Sequence, residues 1–192
     1  MKNLFSAGLI GLGALMPTTL YCGGTESGEQ ASLLAEWTVT GPKPTFLGGG
    51  PAFQLGAGSQ VARTFAAGSI GVSLRTTPHF SATPDDAALL ELGGTALVFL
   101  REGDAGRIAM VAMETMREVA SIAVPLNSAG ASDSLDLVII ASPTETTVAI
   151  GGEVAGRASI PHGATELEIV LSAGKAFAWP IDSLEVVALV PP

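Results

Sequence analysis

The residues best able to do chemistry in this sequence are two histidines, one cysteine, two pairs of nearby glutamates and an adjacent pair of aspartates. His79 and His162 each follow a proline, Pro78 and Pro161, which places both in loops. Nucleophilic catalysis would need one of them beside an activated serine or cysteine, and no Gly-x-Ser-x-Gly elbow occurs. Glycoside hydrolysis needs two carboxylates roughly 5–10 Å apart across one bond. Glu166 and Glu168 share one face of a predicted alternating strand, where a solvated outer face accounts for them, and Glu114 with Glu118 is a weaker pair. His79 with Asp85 and Asp86 has the donor types of a metal site. Calcium takes about six to eight oxygen ligands, however, and no dense acidic run supplies them, so residues 77–87 read as a polar turn-rich loop. No catalytic set emerges, and the chain is read as a non-enzyme.

Binding needs different side chains. Sugar-binding surfaces offer aromatic rings to the apolar faces of pyranoses. Trp37 falls on the inward face of its predicted strand and belongs to the core. Trp179 follows a Lys175-Ala176-Phe177 turn and precedes Pro180, which makes it the candidate for exposure and for ligand stacking. Against 18 Asp and Glu stand 9 Lys and Arg, a net charge of −9, and the arginines at 63, 75, 101, 107, 117 and 157 are dispersed singly. Nucleic acid and anionic membrane surfaces need a basic stripe that displaces counterions, so neither is expected as a partner.

The N-terminus reads as an export signal. Met1-Lys2-Asn3 is a short positive region, and residues 4–15 form an apolar run too short for the roughly 20 residues of a membrane-spanning helix. Pro17 and small residues follow, with Cys22 and Gly24 offering the small side chains a signal peptidase accepts. Residues 1–24 are therefore expected to be removed and residues 25–32 to form a short polar linker. A rival reading acylates Cys22 as the first residue of a lipoprotein, although Tyr21 stands where that motif wants a small residue and Thr19 where it wants an aliphatic one. With a single cysteine, no intrachain disulfide can form and stability must come from packing. Either route puts residues 33–192, one domain's length, outside the cytoplasm, at or beyond a bacterial cell envelope.

The elements that would position any site are strands. Twenty-four glycines and 12 prolines, scattered without a period, punctuate many short segments. Residues 33–39 alternate, with Leu33, Ala35, Trp37 and Val39 inward. Residues 53–65 alternate about a Gly56-Ala57-Gly58-Ser59 turn, as a hairpin would. Residues 70–76 put Ile70, Val72 and Leu74 on one face. Residues 89–92, 96–101 and 107–113 read as antiparallel strands joined by glycine turns. Residues 113–120 contain good helix formers but run on into Val119, Ile122 and Val124, which favours strand. Residues 135–141 are the most apolar strand and so a central one; Gly151-Gly152 marks a hairpin; residues 165–171 and 181–190 complete about a dozen strands. The fold class is all-β, a two-sheet antiparallel β-sandwich.

The order of these pieces over residues 33–190 resembles the LamG-like jelly-roll family of the concanavalin A-like lectin/glucanase superfamily. The likeness lies in the opening strand with Glu36-Trp37, the glycine-rich segment before residues 70–76, the strand and hairpin of residues 135–156, and the closing Ile181-Asp182-Ser183-Leu184-Glu185-Val186. The sequence departs from the family's pattern where Asp133-Ser134-Leu135 replaces a tryptophan-histidine pair and where Gly151-Gly152 replaces an aspartate-glycine turn. The glucanase members carry Glu-x-Asp-x-x-Glu on one strand face, and that triplet is missing here. The resemblance implies a jelly roll used extracellularly for binding carbohydrate or protein, with calcium as an assisting ion in related members. The expectation is an exported, non-catalytic module that interacts with a protein or polymer, or with copies of itself through its edge strands. The alternative is a lectin-like carbohydrate-binding domain.

Overall fold

The computed structural model describes residues 36–48, 51–66, 68–126, 133–159 and 166–189. Cys22, the processing site and His162 lie outside them. Apolar residues at every second position give fourteen strands: β1 (Thr38–Thr40), β2 (Thr45–Phe46), β3 (Phe53–Leu55), β4 (Gln60–Phe65), β5 (Ile70–Thr76), β6 (Leu89–Leu92) and β7 (Thr95–Glu102). They continue as β8 (Ala105–Ala112), β9 (Arg117–Pro125), β10 (Leu135–Ala141), β11 (Thr146–Ile150), β12 (Glu153–Ala158), β13 (Leu167–Ser172) and β14 (Trp179–Ala188). Among the described residues the one helical element is a 3-10 turn at Pro84–Asp86. No helix among the described residues is long and apolar enough to cross a membrane.

Two seven-stranded sheets result, in the orders β1-β4-β13-β6-β7-β8-β9 and β12-β11-β10-β5-β14-β3-β2, with every adjacent pair antiparallel. Their inner faces bury one core in which Leu90, Phe99, Ile108 and Ile169 of the first sheet meet Leu55, Ile70, Ile139 and Ile181 of the second. Thr95 and Thr146, each buried, share a hydrogen bond of 2.8 Å, so neither hydroxyl is left unpaired. The fold is an all-β jelly-roll sandwich, as the alternation predicts.

Several local expectations hold. Ile70, Val72 and Leu74 point inward, and β10 is an interior strand beside the central β5. Gly151 and Gly152 turn the β11–β12 hairpin at φ of 57° and 87°. The helix-like stretch splits: residues 113–116 make a turn, with Met116 at φ 51°, and β9 begins at Arg117.

Others are corrected. Residues 53–65 are not a hairpin, because β3 belongs to the second sheet and β4 to the first. The Gly56-Ala57-Gly58-Ser59 segment is a crossover whose backbone pairs elsewhere, Gly58 donating to the Gly174 carbonyl at 2.9 Å and Ser59 accepting from Ala173 at 2.9 Å. Local alternation fixes which face a side chain takes but not which neighbour the strand finds. Val39, expected inside, is exposed on a three-residue edge strand.

Candidate functional site

Three crossovers between the sheets run side by side at one end of the sandwich: residues 56–59, residues 77–88, and residues 173–178. Gly174 lets the last two touch. A Cβ there would fall on the carbonyl group of Asp86 and lie 2.8 Å from its Cα, a contact only glycine allows. Beneath them Trp179 opens β14. Its side chain is 1 % exposed, packs 5.7 Å from the Phe99 ring, and donates its indole N–H to the Thr76 hydroxyl at 2.7 Å. That hydroxyl donates onward to the Pro180 carbonyl at 2.6 Å.

The expectation that the Trp179 ring is exposed is therefore corrected. The strand starts at Trp179 rather than after Pro180, so residues 179 and 181 both face inward and Pro180 takes the outer side. A bulge between Ile181 and Ser183 then returns Leu184 and Val186 to the core. The exposed ring is two residues earlier. Phe177, 41 % exposed, stacks on His79 with ring centroids 3.5 Å apart and planes 25° from parallel. Burial, and then the positive charge of Arg101, hold the His79 imidazole below its ordinary pKa, so it stacks as the neutral ring. Sequence reasoning missed Phe177. Its signal was parity: two residues before an inward Trp179 but outside the strand, nothing commits it to the core.

The polar groups beside this platform are already engaged. Asp85 lies 3.7 Å from the Lys175 ammonium, and Asp86 accepts from the Thr83 hydroxyl at 3.1 Å. Among the described residues no three His, Cys, Asp or Glu side chains converge to hold a metal. Trp37 is buried in the core, as expected, though from a bend just before β1 rather than from the face of a strand. Glu166 and Glu168 are exposed, Glu114 is exposed in a turn, and Glu118 pairs with Arg107.

The outer face of the first sheet is the other distinctive surface. Ala96, Val98 and Ala109 are sheltered there by Leu89, Leu100, Val111 and Met113, an apolar floor on the side away from the core. Glu91 borders it, across the ladder from Val170 and Ala96. Burial, reinforced by the charge of Glu168, raises the Glu91 carboxyl above the usual carboxylate range.

No family model and no curated protein matches this sequence. Solved structures do match, at the level of fold. Alginate lyase AlgAT5 of polysaccharide lyase family 7 aligns at TM-score 0.56 and 10 % identity, over 80 % of this chain and 94 % of the lyase. The exoplasmic/lumenal domain of VIP36, solved with calcium and mannose bound, aligns at TM-score 0.53 and 8 % identity, over 82 % and 84 % of the two chains. The binding domain of botulinum neurotoxin DC, solved in complex with SialylT, aligns at TM-score 0.53 and 11 % identity. That match takes in 80 % of this chain but only 42 % of the toxin domain. The sandwich has the concanavalin A-like jelly-roll fold.

Proposed function

We propose that this concanavalin A-like sandwich is an exported, non-catalytic binding module that holds a glycan polymer against the Phe177–His79 platform. The observation that carries this reading is the exposed Phe177 ring, kept in place by its stack on a half-buried, neutral His79. An aromatic ring fixed before the ligand arrives costs little ordering entropy on binding. Asp86 lines the same hollow as His79 and Phe177, and the exposed Lys175–Asp85 pair lies on the two adjoining crossovers, so polar groups able to meet sugar hydroxyls stand near the ring. The fold is shared with a mannose-bound domain and with an alginate lyase, which agrees with the reading at the level of architecture alone. Export rests on the pattern of residues 1–24, and the non-catalytic reading on the sequence motifs alone, which include no Gly-x-Ser-x-Gly elbow and no Glu-x-Asp-x-x-Glu triplet.

The test is binding of the purified chain to a glycan array and to insoluble polysaccharides, beside Phe177→Ala and with and without a chelator. The expected result is glycan binding that weakens about tenfold in the variant, the worth of one stacked ring, and that survives chelation. A wild-type chain that binds no glycan, or a variant that binds as tightly as wild type, overturns the reading.

A further inference from the structure

The two rings of the platform are held unequally. Residues 77–88, which carry His79, are pinned to β7: Ser81 donates to the Phe99 carbonyl at 3.2 Å, and Arg101 donates back to the Ser81 carbonyl at 2.7 Å. The stretch that carries Phe177 is not pinned. Residues 175–178 form an open bend whose backbone makes no hydrogen bond among the described residues. Its one ion pair, Lys175 with Asp85 at 3.7 Å, is exposed and so holds it weakly. What fixes the Phe177 ring is its stack on His79, with centroids 3.5 Å apart. The charged groups around that imidazole come from three segments. β7 brings Arg101, which donates through Nε to the Gly103 carbonyl at 2.8 Å and lies 4.0 Å from Asp104. The bend brings Lys175, and the histidine's own crossover brings Asp85 and Asp86, the latter accepting from the Thr83 hydroxyl at 3.1 Å. Among the described residues no carboxylate pairs with the imidazole.

We propose that His79 gates the platform: in acid its imidazole takes up a proton from water, leaves the stack, frees the Phe177 ring and lets the glycan go. The gate rests on the reading of the platform as a glycan site. An imidazolium kept in this half-buried place would face Arg101 with no carboxylate paired to it, whereas one swung into water is solvated. Burial, and then the Arg101 charge, already hold the stacked imidazole below its ordinary pKa. The stack is therefore at full strength above the ordinary imidazole value and is lost as pH falls through the lower value of the stacked ring. The pull of an imidazolium on the Phe177 face acts the other way, and it is weak at a ring so open to water. Once the stack opens, each sugar has to order Phe177 anew, which lowers affinity.

Proton NMR of the free chain from about pH 8 to about pH 5 tests the gate, the His79 signals being told from those of His162 by their absence in His79→Phe. The expected result is an imidazole whose carbon-bound protons are shifted by the Phe177 ring at the alkaline end, lose that shift on protonation, and titrate below the ordinary histidine value. A shift that persists in the protonated ring, or titration at or above the ordinary value, overturns the proposal. Binding to cellulose, chitin and mannan is then measured at both ends of the range. Wild type is expected to bind about three- to tenfold more weakly in acid, the worth of ordering one side chain, and His79→Phe to show no change between the two. Wild-type affinity that does not fall, while Phe177→Ala still weakens it, overturns the gate and leaves the glycan reading standing. A chain that binds no glycan at either pH overturns both. Circular dichroism at each pH separates release from unfolding.

Discussion

Replacing Gly174 with alanine tests whether the crossover end is held as tightly as its geometry implies. The added Cβ would overlap the Asp86 carbonyl group and stand 2.8 Å from the Asp86 Cα. Carbon atoms prefer to stay about 3.5 Å or more apart, so the two crossovers must part by about 1 Å. That movement strains two backbone hydrogen bonds that anchor the segment, Gly58 N–H to the Gly174 carbonyl and Ala173 N–H to the Ser59 carbonyl, each 2.9 Å. At about 1 kcal/mol for each bond and about 1–3 kcal/mol for overpacking, the loss is about 3–5 kcal/mol. For a domain of this size that lowers Tm by roughly 10 °C, read by differential scanning calorimetry. Gly71→Ala is the matched control. Its Cβ would find only ordinary contacts, the nearer at 3.8 Å to Leu189, so the change is expected to be neutral or to stabilise by up to about 1 kcal/mol. Equal Tm values for Gly174→Ala and wild type would refute the reasoning, because the clash is with main chain and no side chain can swing aside to relieve it.

Two further outcomes follow from buried and half-buried polar groups. Thr76→Val removes the hydroxyl that accepts from the Trp179 indole and donates to Pro180, and is expected to cost about 1–3 kcal/mol in denaturant unfolding, while Thr76→Ser retains most of it. Glu91, whose carboxyl is raised by burial and by Glu168, binds its proton more tightly folded than unfolded. Its contribution to stability is therefore full below the unfolded value and is lost as pH rises through the folded one. Glu91→Gln is expected to flatten that fall in an unfolding series from pH 4 to 8, with a gain at neutral pH of under about 1 kcal/mol because the group is partly solvated. A pH profile identical to wild type would count against the carboxylate pair.

Much of the sandwich was legible because the side-chain period of a strand is a local property. The faces of residues 70–76 and the Gly151-Gly152 turn follow from spacing and from the φ angles glycine allows. The same locality explains the errors. A hairpin and a crossover look alike when both are two alternating segments about glycines, and residues 53–65 were resolved only by the pairing of β3 with β14 and of β4 with β13.

The site was less legible, for a related reason. Whether an aromatic ring is core or platform depends on where its strand begins, and β14 begins at Trp179 because the Thr76 hydroxyl receives the indole N–H and Phe99 packs against the ring. Alternation, glycine turns and an unmatched set of carboxylates determined an all-β fold with no recognisable catalytic motif. Only the tertiary structure decided that Phe177 rather than Trp179 meets solvent and that His79 lies beneath it. Each of these depends on contacts between segments far apart in the chain, which no local period encodes.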